Sequence, residues 1–211
     1  MGLVRSYVVP QGGHPSWRSD RGYEALVAKL MDPDPQTRRW AARDMLDHIH
    51  SSSVLVERLL QEKDVSVREV ILTTLTCLGD TTAVRGLIDC LRSEDAALRN
   101  EAVSAMRLLP DVVAPVMQDL LHDADSDVRI FAVNILEALR HPRVEQWLCE
   151  VAEFDSEVNV CATAVDLLGE VGTPAALDAL RKLKDRFAEE PYIQFAADLA
   201  ISRIMHGMNG H

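Results

Sequence analysis

No run of apolar residues in the 211-residue chain approaches the ~18 needed to cross a bilayer, which excludes a helical span and sets the expectation of no membrane partner. The start lacks the sequence of charge, apolar core and small-residue cleavage site that makes a signal peptide, so the expected compartment is the cytoplasm. Aromatic residues make up only 5 %, which suits helices packed through Leu, Val and Ala. Catalytic signatures are missing as well: there is no G-x-S-x-G, P-loop, G-x-G-x-x-G or H-E-x-x-H. No histidine precedes a glutamate, so the His-Glu ligand dipeptides of a di-iron hydroxylase are absent. No catalytic residue and no cofactor is therefore expected.

Cysteine is sparse too. Cys77, Cys90, Cys149 and Cys161 form no C-x-x-C pair and fall mostly inside apolar stripes, so they read as reduced, buried small hydrophobes. Asp44 and His48 share a helix face at i, i+4, but a metal needs three or four converging ligands, and no metal is assigned. Positive charge is short: 22 basic against 33 acidic residues give a net charge of −11. The deficit sits in residues 51–170, with 10 basic and 22 acidic groups. A nucleic-acid surface needs clustered Lys and Arg to neutralise phosphates, so no nucleic acid is expected as a partner.

What the sequence does have is a repeat. Arg38, Arg68, Arg99 and Arg129 recur at spacings of 30, 31 and 30 residues, and Asn159 takes the next place in the series. Four residues before each stands an aspartate: Asp34, Asp64, Asp95, Asp125 and Asp155. Each unit reads as two amphipathic helices. In the third, Val84, Leu87, Ile88 and Leu91 mark one stripe over residues 81–92. Leu98, Ala102, Ala105, Met106 and Leu109 mark the second, opened by Asp95 as a cap. Neither stripe is buried within one unit, so stacked units must share a continuous core.

The pattern D-x-x-[VL]-R-x-x-A-x-x-x-L-x-x-L-G resembles HEAT repeats, in particular the short class called phycobilisome-lyase HEAT-like repeats, and it is closest at Val67 to Asp80. The resemblance implies an all-α fold, a right-handed α-α superhelix or HEAT-like solenoid of about six helix pairs. The expected division is an N-terminal arm (1–19), the solenoid (20–206) and a C-terminal tail (207–211). The fifth unit departs from the pattern, with Asn159 for arginine and Gly169 two residues late. The sixth drops the Asp-Arg signature, as a terminal cap should. Pro10, Gly12, Gly13 and Pro15 forbid a helix in the arm. It reads as a flexible arm, or one that folds over the first repeat as a cap through Val8, Val9 and Trp17, with a partner-binding peptide through Tyr7, Trp17 and Arg18 as the alternative.

The recurring Asp and Arg read as structural, the Asp capping each second helix and the Arg tying neighbouring repeats together. Positions one and five residues after each ladder Arg face outward from the second-helix layer, which lines the concave binding face in HEAT solenoids. They are Arg39 and Arg43, Glu69 and Thr73, Asn100 and Ser104, Ile130 and Asn134. The turns carry more carboxylates than capping requires. Asp123, Asp127, Glu153 and Glu157 are read as an anionic ridge that serves either solubility or the steering of a partner with a basic segment.

The expected function is a non-catalytic protein–protein interaction scaffold or adaptor that binds a protein partner on the concave face. The alternative that the resemblance implies is an accessory subunit of a bilin lyase, or a related cofactor-attachment or chromoprotein-turnover factor, with Arg39 and Arg43 pairing the propionates. An alkylation-repair enzyme is disfavoured by the charge.

Overall fold

A computed structural model of the chain describes residues 22–208, and the expectations for the arm and for residues 209–211 lie outside them. Among the described residues the chain is helical, with no strand. The first pair is α1 (Tyr23–Leu30) and α2 (Pro35–Asp44), the second α3 (Ser52–Leu59) and α4 (Val65–Leu78), the third α5 (Thr81–Cys90) and α6 (Ala96–Arg107). In the fourth pair the first helix is split into α7 (Pro110–Val113) and α8 (Met117–Leu121) by a 3-10 turn over Ala114–Val116, and α9 (Ser126–Leu136) follows. Pro115 causes the break, because it has no N–H for the helical ladder. Then come α10 (Val144–Phe154) with α11 (Val158–Val171), and α12 (Leu177–Arg186) with α13 (Pro191–Met208). The helix thus runs two residues past the expected end of the solenoid at 206.

Second helices stack in the order α2, α4, α6, α9, α11, α13, and first helices form the other layer. The expected stripes point inward: Val84, Leu87, Leu91, Leu98, Ala102, Ala105, Met106 and Leu109 are all buried, and the core is continuous from Leu26 to Ile204. Small residues set the closest approaches. Gly86 on α5 lies against Val56 on α3, where a Cβ would come within 2.2 Å of Val56 Cγ2.

Local chemistry explains where the helices start and stop. Asp34 accepts from the Gln36 and Thr37 N–H groups, Asp64 from Val67, Asp95 from Ala97 and Leu98, and Asp125 from Asp127. Gly79 ends α4 in the left-handed region at φ 56°, and its N–H bonds the Leu75 carbonyl. Asp80 then caps α5 through Ala83 N–H and accepts the Ser52 hydroxyl.

The fifth repeat departs from the expectation. Asp155 does not cap α11; the N-cap is Glu157, which makes no side-chain cap bond. Nor does Asn159 hold the ladder position: it is exposed, and its carbonyl accepts from Thr163. Cys161 stands there instead, with its thiol on the Asp155 carbonyl six residues back, as Arg129 stands on Asp123. The unit is two residues out of register, which is why Gly169 comes late. Arg186 from the following first helix supplies the missing guanidinium, donating to the Ala152 carbonyl at 2.8 Å and to the Asp155 carbonyl.

Candidate functional site

Arg38, Arg99 and Arg129 each bind a carbonyl of their own turn, and all four ladder arginines reach towards the next repeat. Arg38 donates to the Asp32 and Pro33 carbonyls, both at 2.9 Å, and forks onto Glu62 of the second repeat at 2.7 and 2.8 Å. Arg129 repeats the arrangement, with the Asp123 carbonyl at 2.8 Å and both Asp155 oxygens at 2.7 and 3.0 Å. Arg68 takes Asp95 at 2.5 Å and Glu101 at 3.3 Å. Arg99 binds the Ser93 carbonyl at 2.7 Å and lies 5.9 Å from the Phe131 ring centroid. Most of these donors hold repeats together, while Arg68 Nε and Glu101 Oε2 are buried without a hydrogen-bond partner.

The turn carboxylates are largely accounted for in the same way. Glu62 is buried and also takes Arg58. Burial pushes its pKa up, but hydrogen bonds from Arg38, the Asp64 backbone N–H and Arg58 outweigh that and hold it at about 2, from an ordinary 4.5. Of the four expected ridge residues, Asp123 pairs with Arg92 and Glu153 with Lys182, whereas Asp127 and Glu157 are exposed. The Arg92 hydrogen bond is the main cause of a lowered Asp123 pKa. Inter-repeat pairing was hidden in the sequence because Arg92 and Lys182 lie about 30 residues away from their partners. Only the repeat period connects them.

On the second-helix face, Arg39, Arg43, Glu69, Thr73, Asn100 and Ser104 are exposed, and Ile130 and Asn134 are half-buried. Thr73 and Ser104 return their hydroxyls to the carbonyls of Glu69 and Asn100, and the Asn134 carbonyl accepts from Arg107. Counting from Cys161, and from Gln194 in the sixth repeat, extends the row to Ala162 and Asp166, then Phe195 and Leu199. Gln194 earns its ladder place by donating to the Lys184 and Phe187 carbonyls. Phe195 and Leu199 are 67 % and 41 % exposed, a hydrophobic end to the row that the divergence of the last repeat concealed.

Clefts open between second helices among the described residues. One, of about 460 Å³ between α2 and α4, is lined by Gln36, Arg39, Trp40, Arg43, Leu46 and Val70, with Thr73, Thr74 and Cys77. Arg43 lies 4.2 Å over the Trp40 ring and pairs with Asp44 at 2.6 Å. Cys77, expected in the core, is exposed here. Beyond Trp40 a further cleft of about 370 Å³ separates α1 from α2. Another cleft, of about 210 Å³ between α9 and α11, carries Glu137, Asp166 and Glu170 beside Asn134 and Thr163. A separate cleft of about 220 Å³ involves α8 and α10, among them His122, Trp147 and Glu150.

Among the described residues no group of three His, Cys, Asp or Glu is placed to hold a metal; His48 instead meets the Tyr23 ring edge-on at 5.8 Å. Burial pushes the Cys90 thiol up to about 12 and the Cys149 and Cys161 thiols to about 11, so they remain protonated. No described helix is long and apolar enough to cross a membrane.

The sequence matches the HEAT-repeat family over residues 23–107 and 113–197. No curated protein matches it. Among solved structures, the complex of CpcE and CpcF of phycocyanin lyase from Nostoc sp. PCC7120 is similar at 18 % identity and a TM-score of 0.36, over 96 % of this chain and 100 % of that one. Human deoxyhypusine hydroxylase is similar at 17 % identity and a TM-score of 0.46, over 87 % of this chain and 84 % of that one. A designed armadillo repeat protein is similar at 16 % identity and a TM-score of 0.39, over 85 % of this chain and 98 % of that one.

Proposed function

The chain belongs to the HEAT-repeat family, and from that premise we propose that it is a non-catalytic scaffold or adaptor that binds a protein partner on its second-helix face. One observation carries this reading. Outward positions on that face vary from repeat to repeat in charge and polarity, from Arg39 and Arg43 to Phe195 and Leu199, while the inward and ladder positions recur. Packing constrains the recurring residues; the varied ones are open to select a partner. An exposed aromatic and two clefts between helices add the anchors that protein interfaces use. A partner with a basic segment has Asp166 and Glu170 in the α9–α11 cleft, beside Glu137 in its pair with Arg107, and Asp127 and Glu157 of the turn ridge left for it. Cytoplasmic residence belongs to the same proposal.

The test is capture of a partner from native extract by the immobilised chain, followed by binding measurements on two surface variants. Asn100→Arg with Ser104→Arg alters the second-helix face; Glu57→Arg with Arg85→Glu alters the first-helix layer. Loss of binding with the first pair alone is expected. Loss with the second pair alone would move the site to the other layer.

A second reading has one observation in its favour. The α2–α4 cleft joins apolar walls to Arg39 and Arg43, the combination needed by a pigment bearing carboxylates. Under it the chain is an accessory subunit of a bilin lyase or a related chromoprotein factor. Titration with bilin, followed by visible absorbance, separates the two: a spectral change lost in Arg39→Gln/Arg43→Gln supports the pigment reading.

A further inference from the structure

We propose that the α2–α4 cleft is a docking site for an anionic, apolar peptide segment, one in which an Asp or Glu neighbours a large aliphatic or aromatic side chain. The inference rests on the protein-binding reading above and specifies its anchor. Three features of the cleft define the occupant. The walls are apolar, made by Trp40, Leu46 and Val70 with the Thr73, Thr74 and Cys77 side chains, and about 460 Å³ holds one or two large side chains. Leu46 is 44 % exposed, an apolar surface in contact with water that a docked side chain would cover.

The rim is cationic. Arg39 makes no ion pair with any described residue, and Arg43 divides its guanidinium between Asp44 and the Trp40 ring face. This stands out in a chain of net charge −11, because Arg39 and Arg43 form the one doubly basic pair in the outward row. The corresponding pairs are Glu69 and Thr73, Asn100 and Ser104, Ile130 and Asn134, Ala162 and Asp166, and Phe195 and Leu199. Charge complementarity therefore selects carboxylates at this end of the face, and arginine presents them with paired N–H donors. Basic side chains are excluded by the same two arginines and accepted further along the stack, where Glu170, Asp166, which takes the Tyr192 hydroxyl, and Glu137, which pairs with Arg107, line the α9–α11 cleft. The face thus has an electrical direction along the stack, and a bound segment has one orientation.

The probe is a phage-displayed library of random peptides panned against the full chain. Selected peptides should be enriched in Asp or Glu next to Leu, Phe or Trp. Their affinity should fall by roughly tenfold to a hundredfold in Arg39→Glu/Arg43→Glu, where like charges face each other. Both residues are exposed, so far-UV circular dichroism should match the parent. Alkylation of the exposed Cys77 with N-ethylmaleimide perturbs the same cleft without mutation and should also weaken binding. Basic selected peptides, no selection, or acidic peptides indifferent to both perturbations would each overturn the inference. Peptides lost only in Asp166→Lys/Glu170→Lys would overturn it while leaving the second-helix face as the binding surface. Peptides lost only in Glu57→Arg/Arg85→Glu would overturn both.

Discussion

Replacing Arg38 with alanine removes one guanidinium that joins the first repeat to the second, and the structure sets the size of the effect. Four hydrogen bonds go: two to the Asp32 and Pro33 carbonyls and two to Glu62. Arg38 and Glu62 are only 7 % and 5 % exposed, so water cannot freely replace what is lost. Removing one partner of a buried pair costs about 3–5 kcal/mol, and because Arg58 and the Lys63 and Asp64 N–H groups still hold Glu62, about 2–4 kcal/mol is expected here. The shift in Glu62 sets an upper scale for the carboxylate with all its donors in place, Arg58 and the Asp64 N–H as well as Arg38. A pKa lowered from 4.5 to about 2 corresponds to about 3 kcal/mol of stabilisation by the ionised form. Because the folded pKa is the lower one, that stabilisation is present above pH 4.5 and is lost as pH falls towards 2. Urea unfolding followed by circular dichroism should therefore show Arg38→Ala well below the parent at neutral pH, with the gap closing between pH 4.5 and 2. Glu62→Gln should show the same narrowing gap. A variant within about 0.5 kcal/mol of the parent, the range of an ordinary surface substitution, with the same acid limb would refute the reasoning.

Gly86→Ala should destabilise by about 1–3 kcal/mol in urea, because its Cβ meets Val56 and overpacking outweighs the gain in helix propensity. Adding Val56→Ala should recover much of the loss, and no recovery would place the cost elsewhere. Arg186→Met should lower stability by about 1–3 kcal/mol, through the Ala152 and Asp155 carbonyls it leaves, and hydrogen exchange should report the loss at the start of α11. Arg129→Ala should cost more than Arg99→Ala, since Arg99 makes no ion pair with a described residue; equal losses would count against the inter-repeat pairing. A thiol reagent at neutral pH should modify Cys77 first, with Cys90, Cys149 and Cys161 slow until unfolding.

The repeat unit was legible because packing imposes a period, and the period writes itself into Asp34, Asp64, Asp95 and Asp125 and into the stripes beside them. Helix starts followed from those caps. Glu62 could not be recognised as buried, since a glutamate in an acidic turn looks solvated until Arg38 and Arg58 are brought over it. The fifth repeat misled for a related reason. Counting from Asp155 gives Asn159, whereas the turn spends two more residues before α11 begins. Arg186 restores the guanidinium from 31 residues further along, a substitution that no local pattern announces. On the second-helix face, the outward row through Asn134 could be read by counting. The cleft beside Arg39 depends on how far α2 stands from α4, and spacing along a chain does not encode that distance.

The most direct measurement of the central claim is site-specific photo-crosslinking of the full chain in its native cell. Benzoylphenylalanine placed at Thr73 and at Ser104 samples the second-helix face, and at Glu57 and at Arg85 the first-helix layer; all four residues are exposed. A scaffold that binds through its second helices predicts one protein adduct at Thr73 or Ser104, abolished by Arg39→Glu/Arg43→Glu or by Asp166→Lys/Glu170→Lys, and none at Glu57 or Arg85. Adducts at Glu57 or Arg85 alone, or no protein adduct at any of the four positions, would contradict it.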